Sequence, residues 1–107
     1  MPRAPTSSDP FNAIAEPRRR HILEFLAAEE RSVGDIADAL EMTQPSVSKH
    51  LQVLRTVNLV TVRRAGRRTM YRTNAEVLRT IHDWSRMFAQ HWRGQLRRIK
   101  AHAEEER

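Results

Sequence analysis

The apolar positions along the chain change their period twice. In "DPFNAIAEP", Phe11, Ile14 and Ala15 recur at i, i+3 and i+4, the mark of one helical face. Asp9 stands where an N-cap belongs, and Pro10 falls at the first helical position, where its missing N–H is harmless. Pro17 breaks or restarts the helix. "RRRHILEFLAAEE" then supplies Ile22, Leu23, Phe25 and Leu26. "SVGDIADAL" opens with Ser32 and, three residues on, Asp35, a variant capping box, and its apolar face is Val33, Ile36, Ala37 and Leu40. After the turn "EMT", a helix from about Gln44 to Thr56 places Val47, Leu51 and Leu54 in one stripe at about 100° per residue. Thr43 is its N-cap and Pro45 lies in its first turn. Pro45, Ser48, Lys49, Gln52 and Thr56 project elsewhere, mostly opposite.

The period then shifts to two. Val60 and Val62 alternate with Thr61 and Arg63, "RAGR" marks a hairpin turn, and "TMYRT" returns as a second strand. From Ala75 to about Ala103 no proline intervenes, and Leu78, Ile81, Trp84 or Ser85, Phe88, Trp92, Leu96 and Ile99 repeat at three- and four-residue steps. This pattern predicts one long amphipathic helix of roughly 40 Å.

The 107 residues bound the chain to one domain. Residues 1–8 are expected to be a flexible arm, 9–103 the folded domain with its long last helix over 75–103, and 104–107 an acidic tail. No apolar run approaches the length of a membrane span, and "MPRAPTSSDP" lacks the apolar segment of a secretory signal. The absence of cysteine excludes disulfides, thiolate metal ligands and cysteine nucleophiles, and fits a reducing cytoplasm. The formal net charge of +6 points to a polyanionic partner.

Charge placement sharpens that reading. Arg63, Arg64, Arg67, Arg68 and Arg72 crowd the hairpin with no acid among them. Two short helices joined by a three-residue turn form a helix-turn-helix pattern. Its second helix would be anchored by apolar residues on one side. On the other it would carry Gln44, Ser46, Ser48, Lys49 and Gln52, short polar groups suited to base edges in a groove about 12 Å wide. The basic hairpin would touch phosphates or a minor groove. The long last helix exceeds what so small a core can cover. A second copy of the chain, pairing also through the first helix, would bury its aromatic stripe.

"AEPRRRHILEFL", "SVGDIADAL", "QPSVSKHLQVL" and "LVTVRRAGRRTMYR" together resemble the ArsR/SmtB family of bacterial winged helix-turn-helix repressors. The resemblance implies a homodimer that represses a promoter, often its own, until a signal releases it. It also implies a winged helix-turn-helix fold, mainly α with a small β-hairpin, an α+β chain in the order α-α-α-α-β-β-α that dimerises through its terminal helices. By it, His50 joins the recognition helix. The expected double-stranded DNA contacts are Thr43, Gln44, Pro45, Ser46, Ser48, Lys49, His50 and Gln52, with Arg63, Arg64, Arg67 and Arg68 on the wing. The expected dimer interface is Phe11, Ile14, Ile81, Trp84, Phe88, Trp92 and Ile99. The location expected is the cytoplasm, on the nucleoid when DNA-bound.

Some members of the family bind metals through paired cysteines on the brace helix, where this chain reads Ser32-Val33-Gly34-Asp35. Others use Asp and His near the start of the last helix, where Ala75 and Val77 stand. His82, His91 and His102 have no i, i+3 or i, i+4 histidine partner. No metal site and no cofactor is therefore expected, and the chain falls to a metal-independent subgroup; whether a small molecule or a metal acts as inducer is open at this point. The rival readings are a metal-responsive repressor using the last-helix histidines, a protein-interaction module on the same scaffold, and an enzyme. The enzyme is disfavoured because His82, Asp83 and Ser85, close together on one helix, cannot form mutual nucleophile–base hydrogen bonds.

Overall fold

The computed structural model describes residues 9–105, so the expected arm over 1–8 and the last two residues of the tail lie outside the described residues. The elements run α1 (Pro10–Ile14), α2 (Pro17–Phe25), β1 (Arg31–Ser32), α3 (Val33–Leu40), α4 (Gln44–Thr56), β2 (Val60–Ala65), β3 (Arg68–Thr73), α5 (Ala75–Arg86) and α6 (Ala89–Glu105). The helix starts are chemically specified. The Asp9 carboxylate accepts from the Asn12 N–H at 2.8 Å, and the Thr43 hydroxyl accepts from the Ser46 N–H at 3.3 Å. Ser32 and Asp35 close a reciprocal capping box at α3. Helix ends use the left-handed region, Glu41 at φ 54° after α3 and Asn58 at φ 62° after α4.

Two features depart from the expected element order. A third strand, β1, pairs antiparallel with β3 through Arg31 opposite Tyr71 and Ser32 opposite Met70, so the sheet order is β1-β3-β2. Two residues are too short to carry a period of their own, and β1 exists only because β3 offers its edge. The single helix expected over 75–103 is instead two helices. The Ser85 hydroxyl donates to the His82 carbonyl at 2.9 Å. The Met87 and Phe88 amides bond carbonyls three residues back, Trp84 and Ser85. A serine hydroxyl that engages a carbonyl of the preceding turn, followed by a tightened turn, interrupts the helical ladder. α6 then restarts on the Phe88 carbonyl and continues through Glu105, taking up the first two residues of the expected tail.

The core lies among α2, α3, α4 and the start of β2. Ile22, Leu26, Ile36, Val47, Leu54 and Leu59 are fully buried, and Leu51 is 2% exposed. α1 is tied to α2 from outside. Arg19 donates through Nε to the Ala13 carbonyl at 2.5 Å, and Arg20 donates through Nη1 to the Ile14 carbonyl at 2.7 Å. Two of the three arginines of "RRR" thus satisfy the orphan carbonyls at the end of α1. Thr73, at the end of β3, donates its hydroxyl to the Leu23 carbonyl at 2.7 Å and fastens the sheet to α2.

The last helix stands off this body. Only Ala89 of its 17 residues is buried, and the radius of gyration is 18.4 Å, against about 13 Å for a compact chain of this size.

Because α4 is held by three buried side chains, Leu51→Ala should cost about 2–5 kcal/mol in urea unfolding at fixed protein concentration. A loss well under 1 kcal/mol would mean that α4 is not anchored this way.

Candidate nucleic-acid interface

The Val47, Leu51 and Leu54 stripe faces the core, so helical geometry turns the other side of α4 outward. Thr43, Gln44, Pro45, Ser48, Lys49 and Gln52 are all exposed, whereas Ser46 and His50 are half-buried. Gln44 sits beside the start of α3, its amide nitrogen 3.8 Å from where a Cβ on Gly34 would lie. The structure thus brings all eight predicted α4 positions onto one segment, six of them open. His50 is on the flank, toward the start of α2. Partial burial first, and then the nearby cations Arg19 and Arg18, lower its pKa below 6.5, against an opposing effect of Glu16.

The wing is the β2–β3 hairpin, closed by Gly66 and Arg67 between the paired Ala65 and Arg68. Gly66 has φ 64° while Arg67 does not enter the positive-φ region, the arrangement of a two-residue turn with glycine first. Of the four wing arginines singled out, two are engaged. Arg63 grips Glu30 with two donors, its Nε lying 3.1 Å from Oε2 and its Nη2 on Oε1. Arg68 Nη2 donates to Ser32 Oγ at 2.9 Å and to Asp35 Oδ2 at 3.0 Å. Arg64 and Arg67 are exposed and, among the described residues, have no acidic partner. Glu30 titrates below its ordinary value, chiefly through the Arg63 hydrogen bond, and Asp35 below its own, chiefly through hydrogen bonds from Ser32.

Sequence reasoning missed the acids. Glu30 and Asp35 lie more than 30 residues from their arginines, and only β1, which sets Ser32 beside Met70, brings them together. The one local signal was the capping box, which located Asp35 but not its second role. Arg19 and Arg20 cap α1, while Arg18 lines an open groove of about 610 Å³ with His21, Met42, Thr43 and Ser46 beside the start of α4.

The expected interface residues fall into two groups. Trp84 (53% exposed), Trp92 (47%), Phe88 and Ile99 form an open apolar stripe along α5 and α6, joined by Met87 and Leu96. Phe11 reaches it from α1, edge-on to Trp84 with ring centroids 5.4 Å apart, and Trp84 meets Phe88 at 5.2 Å. Ile14 and Ile81 are half-buried, Ile14 against its own core. On the same helix, Ser85 bonds the His82 carbonyl rather than its ring, so these residues do not form a nucleophile–base pair. Among the described residues, no group of three or more His, Asp or Glu side chains is placed to hold a metal ion, and no helix is long and apolar enough to cross a membrane.

A short helix pinned to a brace by its apolar side, polar outside and flanked by a basic hairpin, defines a winged helix-turn-helix DNA-binding domain. The family model for "Bacterial regulatory protein, arsR family" matches residues 16–62. The transcriptional repressor SdpR of Bacillus subtilis is 35% identical over 74 residues, covering 69% of this chain and 82% of SdpR. The HTH-type transcriptional regulator Rv2034 of Mycobacterium tuberculosis is 42% identical over 81 residues, covering 71% and 76%. Among solved structures, the homodimeric winged helix-turn-helix DNA-binding domain of Mb0332 from Mycobacterium bovis superposes with a TM-score of 0.63 at 36% identity, covering 76% of each chain. This chain belongs to the ArsR family and is a DNA-binding transcriptional regulator.

The depressed pKa of His50 sets a pH dependence. A folded value below 6.5 means that the fold prefers the neutral ring, so the associated stability is complete above pH 6.5 and declines as pH falls through the folded value. Glu30 and Asp35, also depressed, add a second decline below their ordinary values of 4.5 and 3.8. Thermal melts of His50→Gln should lose the first decline and keep the second; superimposable pH profiles of variant and parent would contradict the assignment.

Proposed function

We propose that the chain is a homodimeric, sequence-specific repressor that binds an inverted-repeat operator in its own promoter region, from the cytoplasm, and that it catalyses no reaction. The observation that carries this reading is the two-sidedness of α4: Val47, Leu51 and Leu54 are buried while Gln44, Pro45, Ser48, Lys49 and Gln52 are open along one helix of 13 residues. Such a helix fits a major groove, where glutamine bonds adenine at two positions and lysine reaches guanine or phosphate. Thr43 and Ser46 at its start and His50 on its flank complete the proposed recognition surface, and the open wing arginines Arg64 and Arg67 add backbone contacts.

Dimerisation is supported by the apolar stripe. Exposed Trp84, Phe88, Trp92, Leu96 and Ile99, with Phe11 beside them, make a larger apolar face than a monomer ordinarily leaves in water. A two-fold pairing through α1, α5 and α6 would cover it and present two α4 helices to successive major grooves, about 34 Å apart. The repressor name of SdpR and the homodimeric state of the Mb0332 domain agree with this reading.

Selection of bound fragments from sheared genomic DNA should return one dominant site with two-fold symmetry. Gln44→Ala combined with Lys49→Ala should abolish preference for that site while the circular dichroism spectrum stays that of the parent; retained preference would remove α4 from the reading role. Trp92→Glu should sediment as a monomer at low micromolar concentration, and a persisting dimer would place the interface elsewhere.

A further inference from the structure

The four wing arginines are not equivalent, and strand geometry separates them. Successive residues of a strand point to opposite faces, so Arg63 and Arg64 diverge. Arg63 pairs across the sheet with Met70, and Met70 pairs in turn with Ser32 of β1, which puts Arg63 on the face where Glu30, ahead of β1, and Asp35, in the first turn of α3, lie. Arg68 shares that face through its pairing with Ala65, two positions from Arg63. Each finds a carboxylate there, Glu30 for Arg63 and the capping-box Asp35 for Arg68. β1 flanks the hairpin only as far as Met70; beyond it, Arg64 and the turn residue Arg67 extend without a neighbouring strand.

We infer that Arg63 and Arg68 are positioning residues that clamp the wing to the helix-turn-helix unit, and that Arg64 and Arg67 at its tip are the wing's contacts with the DNA phosphates. The inference rests on the DNA-binding reading above. A guanidinium gripping a carboxylate with two donors is geometrically fixed, and taking it to a phosphate would leave Glu30 unpaired next to a polyanion. The Asp35 pair has a further consequence. The carboxylate that holds Arg68 also accepts from the Ser32 N–H at the start of α3, so wing and brace helix share one anchoring group. The hairpin is thereby referenced to α3, and through the α3–α4 packing to the recognition helix.

Two kinds of variant separate clamp from contact. A residue that touches phosphate releases counterions, so its loss lowers the salt dependence of binding by about one unit per protomer. Arg64→Ala and Arg67→Ala should each do so. Arg63→Ala and Arg68→Ala should weaken binding roughly fivefold or less with the salt slope intact, the scale on which a surface pair's geometry acts. Glu30→Gln gives the sharpest contrast. It makes the protein more positive, so ordinary electrostatics predicts tighter binding, whereas loss of the clamp predicts weaker binding. The double reversal Glu30→Arg with Arg63→Glu should restore affinity toward that of the parent. The inference is overturned if the parent binds DNA but Glu30→Gln binds more tightly and Arg63→Ala flattens the slope as much as Arg64→Ala does. A parent protein with no salt-dependent DNA affinity would instead overturn the DNA-binding reading, and this inference with it.

Discussion

The structure depends on one anchoring contact, the seating of α4 in the core through Val47, Leu51 and Leu54. Three apolar side chains at i, i+4 and i+7 fix the rotation of the helix about its axis, and that rotation decides which residues remain in water. Since Leu51 is 2% exposed and the other two are fully buried, the helix cannot roll without exposing a large aliphatic group. Pro45, Lys49 and Gln52 are on the surface because Val47, Leu51 and Leu54 are not. The placement of the proposed reading face is thus a result of core packing rather than of polar contacts.

A second level of order is electrostatic and sets the parts around that helix. Arg19 and Arg20 close the end of α1 against α2. Arg63 and Arg68 tie the hairpin to Glu30 and to the Asp35 capping box of the brace helix. A chain rich in arginine therefore uses several of its cations in its own architecture, and the count of 19 Lys and Arg overstates how many remain for a partner. Among the cations left open, Lys49 on α4 and Arg64 and Arg67 on the wing lie on the proposed groove-facing surface. At the other end of the molecule the aromatic contacts Phe11–Trp84 and Trp84–Phe88 join α1 to the last helices, so the surface proposed for pairing is internally braced before any partner arrives.

Much of this was legible in the residues. The 3.6-residue stripes of α3 and α4, the capping box at Ser32 and the period-two run through Val60 and Val62 each act over a few positions, and the structure follows them. What escaped depends on neighbours far along the chain. β1 has two residues and is a strand only through Tyr71 and Met70. The break between α5 and α6 arises where the Ser85 hydroxyl bonds the His82 carbonyl, a choice that an apolar stripe running on through Phe88 and Trp92 does not reveal. The arginine cluster looked uniformly free because the acids that engage two of its members precede it by more than 30 residues. On α4 the outer face was readable, while the half-burial of His50 against α2 required the packing angle of the two helices.

The central claim, that α4 meets DNA with one side while its other side stays in the core, is tested most directly by NMR titration of the labelled protein with a selected operator duplex. Large backbone shifts are expected from Gln44 to Gln52 and at Gly66 and Arg67, with the methyls of Val47, Leu51 and Leu54 moving little. Shifts confined to α5 and α6, or collapse of those three methyl environments on binding, would contradict it.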